Sequence, residues 1–223
     1  MSEFFQTYGA MLLSETWATL FMTLTATTLA YVLGLPIGIL VVITNEHSIW
    51  PHRTLNRIVG WIVNIGRSIP FIILRVVLIP FTRFVVGTPL GAKAAIVPLV
   101  IASTPFVARM VESSIQELNS GVIEAAQSTG ASVFQIVWKV MIPESLPSLI
   151  LGASITCITL FGYSAIAGVV GAGGLGDVAI RYGYHRYQKD VMYVTLIILI
   201  IVVQVIQTLG SGLSRRLDKR IKK

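Results

Sequence analysis

The sequence predicts an all-α membrane protein with five transmembrane helices, and three observations carry that expectation. Hydrophobic residues make up 54% of the 223 and charged residues only 12%, with a mean hydropathy of +0.79, whereas soluble domains carry about 25% charged residues. Five apolar runs, at residues 18–43, 58–86, 92–108, 147–170 and 191–210, each suffice to cross about 30 Å of hydrocarbon at about 1.5 Å per residue. Of the 17 lysines and arginines, all but Arg67, Arg75, Arg83 and Lys93, the last at the edge of its run, lie in connections or the tail. At about 20 residues per span, the length leaves no room for a soluble catalytic domain as well.

Residues 1–15, "MSEFFQTYGAMLLSE", have no basic n-region and no small-residue cleavage site, so they read as a retained extracytoplasmic N-terminus. The membrane domain is expected over residues 16–210. Its second and third runs carry Arg67, Arg75, Arg83, Pro70, Pro80, Pro98 and Pro105. Proline removes a backbone donor and bends a helix, so these runs should be bundled with their breaks turned from lipid. An arginine centred in a membrane costs about 2.5–3.5 kcal/mol on insertion scales and must be paired, snorkelling or interior. Arg67, beside Pro70, suits a structural role on carbonyls freed by the break. Arg75 suits either that role or a charge near the pathway, and Arg83, near the interface, suits snorkelling. In the fourth run Thr156, Thr159, Tyr163 and Ser164 place hydroxyls at helical spacings, to line a wet route or to bond neighbouring helices. Together with Arg67 and Ser68 they form the candidate pathway lining. The lone cysteine, Cys157, lies in an apolar run and reads as a small buried side chain.

Charge sets the expected orientation. With the N-terminus outside, inner segments hold Arg53, Arg57, Arg109, Lys139, Arg215, Arg216, Lys219, Arg220, Lys222 and Lys223, and outer segments hold Lys93, Arg181, Arg186 and Lys189. Ten against four favours N-out, C-in, although the tail "RRLDKRIKK" supplies six of the ten. The basic tail, residues 211–223, suits anionic headgroups and not nucleic acid.

This orientation places residues 109–146 in the cytoplasm. "NSGVIEAAQSTG" reads as a helix begun near Asn119 or Ser120, with Glu124 in its early turns and Gly130 as its left-handed end. "SVFQ" is a capping box, Ser132 with Gln135, opening a second helix with an apolar stripe of Val133, Ile136, Val137 and Val140. Pro143 and Pro147 are expected to stop that helix. Two spans can be joined in a few residues, so an ordered insertion of this size suggests a docking surface.

Here the residues carry a resemblance. Glu124-Ala125-Ala126, then Gly130 and Pro143, resemble the "EAA…G…P" loop of membrane subunits of bacterial ABC importers. "NIGRSIPFIIL", "IPFTRFVVGT", "ARMVESSIQEL", "FGYSAIAGVVGAGGLG" and "RYGYHRY", in that order between about residues 16 and 209, resemble the methionine importer permeases among type I ABC importers. The chain departs from that pattern at Arg75, where the family usually has an apolar residue. The resemblance implies a type I importer permease fold of five spans, N-out and C-in, in the bacterial inner membrane. It implies a homodimer, two ABC ATPase subunits below, and an extracytoplasmic methionine-binding lipoprotein above. Glu124, Ala125, Ala126, Gly130, Gln135 and Pro143 are then the coupling loop that seats in an ATPase cleft. No cofactor is expected on this chain itself, because ATP is used by the partner subunits.

Other readings weigh less. Gly171, Gly173 and Gly176 match G-x-G-x-x-G but follow a span and not a strand, so a glycine-rich outer turn or re-entrant segment is expected. No G-x-x-x-x-G-K-[ST] occurs. His47, His52 and His185 sit in different connections, and no catalytic or metal constellation is found. Tyr182, Tyr184 and Tyr187 form an interfacial belt or a vestibule facing a binding protein. An ion-coupled secondary transporter would need acids deep in the spans, which the runs do not supply. A permease of the same architecture for another small solute, and a purely structural membrane protein, are the remaining alternatives; the latter leaves the paired-helix loop unexplained.

Overall fold

The structure, a computed structural model, describes residues 2–218. Among these residues it is helical throughout its regular elements: α1 Ser2–Ile43, α2 Arg53–Ser68, α3 Phe71–Val77, α4 Ile79–Val86, α5 Ala92–Gln116, α6 Ser120–Ser128, α7 Val133–Ile136, α8 Ile142–Ala167, α9 Gly174–Val178 and α10 Lys189–Leu217. Wider π-helical turns occupy Val137–Met141, Gly168–Ala172 and Ala179–Tyr184. Four stretches, Glu3–Ile43, Ala92–Gln116, Val133–Ala172 and Lys189–Leu217, are long and apolar enough to span a membrane, and the broken pair α2–α3 makes a fifth.

The helices outrun the apolar runs that announce them. α1 passes through residue 15 without a break and extends to Ser2, and α5 continues eight residues beyond 108 to Gln116. Hydropathy marks only the part that needs lipid, whereas backbone pairing carries a helix on into its polar ends. The threonines of α1 do not interrupt it, because Thr16, Thr19, Thr23, Thr27 and Thr28 donate to carbonyls four residues back at 2.6–2.9 Å. Pro36 also lies inside α1 without ending it.

The second run behaves differently. It breaks between Ser68 and Phe71, where Pro70 is extended at ψ 130°. Across Leu78 the ladder holds, with Leu78 N donating to Leu74 O at 2.9 Å and Thr82 N to Leu78 O at 2.8 Å. Pro80 falls in the first turn of α4, where a missing N–H costs no bond.

The expectation that Pro143 and Pro147 stop the helix begun at Ser132 is overturned. α7 passes through the π turn into α8, and Val133–Ala172 is one span-length element. Pro143 stands second in α8, directly after the wide turn, and Pro147 lies within the helix. The extra residue of the π turn reshapes the ladder just before the first proline, one of the adjustments by which membrane helices carry proline.

The described residues form two compact units. The first takes those within Met1–Leu29, Ile69–Ser103 and Cys157–Gln207, the second those within Ala30–Ser68, Thr104–Thr156 and Thr208–Lys223. The first has a core of Met22, Ala26, Phe71, Ala95, Leu99, Val100, Leu160, Ala167 and Ala172, and a smaller one around Leu12, Leu175, Val178 and Val191. In it Phe71 stacks on Tyr163, with ring centroids 4.8 Å apart and planes at 2°. The second is built on Val42, Ile43, Val107, Val111, Ile115, Ile136, Val137, Met141 and Leu149. There Gly34 and Gly38, one turn apart on α1, meet α5 closely: a side chain at Gly34 would lie 2.7 Å from Val107, and one at Gly38 2.6 Å from the Ala108 carbonyl. Small residues at this spacing let two membrane helices pack backbone to backbone. Cys157 is buried and unpaired with another cysteine, the small core side chain expected.

Candidate functional site

The segment between α5 and α8 is largely exposed, above all over α6. α6 begins where Asn119, in extended conformation, accepts from Gly121 N at 2.9 Å. It ends in a Schellman arrangement: Gly130 N donates to Gln127 O at 2.9 Å and Ala131 N to Ala126 O at 3.2 Å, with Gly130 at φ +77°. Two residues on, Ser132 N donates to Gln135 Oε1 at 2.9 Å and Gln135 N to Ser132 Oγ at 3.4 Å, the reciprocal box the sequence predicts. Side chains therefore close the start of α6 and the start of α7, and backbone N–H groups around Gly130 close the end of α6.

A helix so well terminated is nevertheless almost unpacked. None of its nine residues is buried. Ile123 and Ala126 are half-buried and lean on the core of Ile115, Ile136 and Met141. Glu124 and Ala125 are exposed, and Glu124 falls in the second turn, the first turn having no acid. A cavity of about 220 Å³ lies behind the helix, lined by His47, Ser48 and Ile49 on one side and by Ile123, Glu124 and Gln127 on the other. Glu124, Ala125, Ala126 and Gly130 are thus brought together on one short element. Gln135 and Pro143 are exposed as well, but Gln135 is engaged in capping the start of α7 and Pro143 lies in α8, so neither belongs to α6.

The candidate pathway residues do not form one constellation. Thr156 and Ser164 are buried, and their hydroxyls donate within their own helix, to Gly152 O at 2.8 Å and Phe161 O at 2.8 Å. Tyr163 is half-buried in its stack with Phe71, and Thr159 is half-buried. Ser68 is exposed and donates to Asn64 O at 2.9 Å. Arg67 is exposed and does not bond the carbonyls at the Pro70 break, contrary to the structural role expected of it. Arg75 takes such a role at a different break. Only 5% exposed, it donates from Nη2 to Val170 O at 3.2 Å, in the π turn where Val170 leaves helical geometry and Gly171 turns to φ +85°. Its Nη1 is buried without a partner. Arg83 is exposed in the last turn of α4, as a snorkelling residue would be.

Two polar groups inside the helices escape sequence reasoning. Glu15 lies within the span-length α1, three residues ahead of its apolar run, and accepts from Gly174 N at 2.6 Å. One turn later Thr19 Oγ1 accepts from Leu175 N at 2.8 Å, so α1 caps the start of α9. The signal is an acid and a threonine four apart at the start of an apolar run. In the second unit Arg109 of α5 pairs with Glu112 and donates to Asn64 Oδ1 of α2 at 2.8 Å. The glycine-rich segment is a turn of close approach: a side chain at Gly168 would meet the backbone of Asp177 at 2.5 Å.

These features define a class: a multi-pass helical membrane protein with an exposed, capped helix, α6, between two of its span-length elements. The family is the binding-protein-dependent transport system inner membrane component, whose model matches residues 34–223, and the chain belongs to it. It is 48% identical over 220 residues to the probable D-methionine transport system permease protein MetI of Vibrio cholerae, covering 99% of this chain and 98% of that one. It is 46% identical over 181 residues to the methionine import system permease protein MetP of Bacillus subtilis, covering 81% and 82%. Among solved structures, the MetNI methionine ABC transporter in inward-facing conformations matches with a TM-score of 0.94 and 47% identity, over 96% of this chain and 99% of that one. A structure of an amino acid ABC transporter with histidines, at 24% identity and TM-score 0.76, shares the fold.

Proposed function

We propose that this chain is the membrane permease subunit of an ATP-driven methionine importer. It works as a homodimer with two ATPase subunits and receives methionine from an extracytoplasmic binding protein. The observation that carries the mechanism is α6: closed at both ends by Asn119 and Gly130, yet with none of its residues buried. A helix that spends its capping groups on rigidity and leaves its outer face bare is suited to transmit force to a partner. Glu124 and Ala125 form the contact face, Ala126 and Ile123 tie it to the second unit's core, and Gly130 sets the angle of return into α7. Gln135 and Pro143 hold the base of the lever.

In this mechanism the N-terminus and the 179–188 connection lie outside and α6 lies in the cytoplasm. ATP binding draws the ATPase subunits together, α6 moves with its socket, and the spans tip between inward and outward openings. Hydrolysis belongs to the partner. The likeness to methionine permeases of nearly equal length supports the substrate, and exposure keeps Arg67 and Ser68 as the best candidates for a surface facing the route.

The test is to purify the tagged chain, identify what accompanies it, and measure uptake in vesicles. Recovery of a P-loop ATPase with ATP-dependent uptake of labelled L- or D-methionine is the expected result. Recovery alone with gradient-driven uptake would defeat the ABC reading, and ATP-dependent uptake of another solute but not methionine would defeat the substrate.

A further inference from the structure

The connection between α9 and α10 is built with more rigidity than a link between membrane helices needs. It leaves α9 through the π turn Ala179–Tyr184. His185 N then donates to Ile180 O at 2.9 Å, Gln188 N to Tyr182 O at 3.2 Å and Lys189 N to Tyr187 O at 3.1 Å. Gly183 sits so close to α10 that a side chain there would meet Met192 at 2.6 Å. Tyr182 is clamped: the Arg181 and Arg186 guanidiniums lie 5.1 and 4.5 Å from its ring centroid, and Tyr8 meets it edge-on.

On this platform stand two uncovered aromatics, Tyr184 at 65% and Tyr187 at 85% exposure. Tyr187 also holds φ +57°, the only positive value among the described non-glycine residues. A bulky residue in that region is strained, and strain of this kind collects at binding and functional loops. Charge completes the picture. Arg181 is paired with Asp177 at 2.7 Å, which leaves exposed Arg186 and Lys189 beside His185. The remaining acid, Asp190, sits in the first turn of α10, where the helix dipole already favours it.

We propose that the 179–189 connection is a preorganised docking knob for an acidic protein surface, with Tyr187 and Tyr184 as its aromatic anchors and Arg186 and Lys189 as its electrostatic guide. Tyrosine and arginine dominate binding hot spots, and a fixed backbone saves ordering entropy on association. A fluid headgroup layer rewards no fixed backbone, which favours a protein partner over lipid. The proposal rests on the importer reading, under which this connection faces the binding protein, and it adds that the binding protein's docking face is acidic.

The test places the complete permease–ATPase complex in nanodiscs and measures association of the purified, lipid-free binding protein at low and high salt. Arg186→Gln and Lys189→Gln together should slow association about tenfold at low salt and flatten its salt dependence, leaving dissociation nearly unchanged. Tyr187→Asn, which tolerates positive φ, should weaken binding about tenfold through faster dissociation, while Tyr187→Phe stays near wild type. ATP hydrolysis without binding protein should be unaltered, showing that the complex is intact. Wild-type rates in all variants would overturn the proposal, as would an effect seen only in discs of anionic lipid, which would assign the loop to headgroups. If wild type recruits an ATPase but no variant matters, the knob fails and the importer reading stands; if wild type recruits none, the importer reading itself fails.

Discussion

At Gly130 the backbone decides what the side chain is allowed to be. Its φ of +77° is reached freely only without a β-carbon, yet the space around it is open. Valine would therefore suffer conformational strain of about 1–2 kcal/mol and no collision. Gly130→Val should insert and dimerise normally while losing ATPase recovery or uncoupling hydrolysis from uptake, with Gly130→Asn milder. Normal coupling in both would reduce α6 to a connector. Arg75 poses the opposite problem, a buried charge with one nitrogen bonded and another without a partner. Replacing a poorly compensated buried charge by an apolar chain of similar size is often neutral or favourable. Arg75→Met should leave the thermal midpoint unchanged or raised, whereas Arg75→Ala, which opens a cavity, should lower stability by about 2 kcal/mol. Equal loss in both, read by thermal unfolding in detergent, would mean that the bond to Val170 outweighs the burial penalty.

Among the elements, α6 was the most legible. Asn119, Gly130, Ser132 and Gln135 are local signals, each closing a hydrogen bond within three residues of itself, and each acts in the structure as its type suggests. The turn of the helix about its axis was not legible, because it depends on where the core lies. Ala125 and Ala126 look equivalent in sequence, but only Ala126 leans on the second unit's core. Ala125→Trp should leave the protein's thermal midpoint intact and abolish ATPase recovery. Ala126→Trp should lower the midpoint as well, by overpacking that costs about 1–3 kcal/mol. Similar midpoints for the two would show that α6 turns freely about its axis. Pro143 and Pro147 were misread for the same reason: a wide turn at Val137–Met141 is a feature of the folded ladder that no residue type announces.

Over the full length of the chain, spans and topology depend on one another. α6 and the 179–189 connection are separated in sequence by one span-length element, Val133–Ala172, and the proposed importer mechanism requires them on opposite sides of the membrane. With Cys157 buried, single cysteines at Ser120 and at exposed His185 make a clean pair of reporters. An impermeant thiol reagent should reach Ser120→Cys only from the cytoplasmic side and His185→Cys only from outside. The reverse pattern would invert the protein and remove α6 from any ATPase, and labelling of both from one side would undo the span count.

Composition and near neighbours along the chain were enough to establish a membrane protein, its apolar runs, the caps of α6 and α7, and the order of motifs that marks its family. These features are legible in the amino-acid sequence because hydration of backbone and side chains, and hydrogen bonds spanning three or four residues, depend on little else. Tertiary packing decided the features that join residues far apart in sequence. It set Glu15 and Thr19 to cap α9 from 159 and 156 residues away, sent Arg75 to the Val170 carbonyl and not to its own proline break, and turned Thr156 and Ser164 inward. A buried polar group in a membrane must find some partner, but which one it finds is settled only when the helices pack.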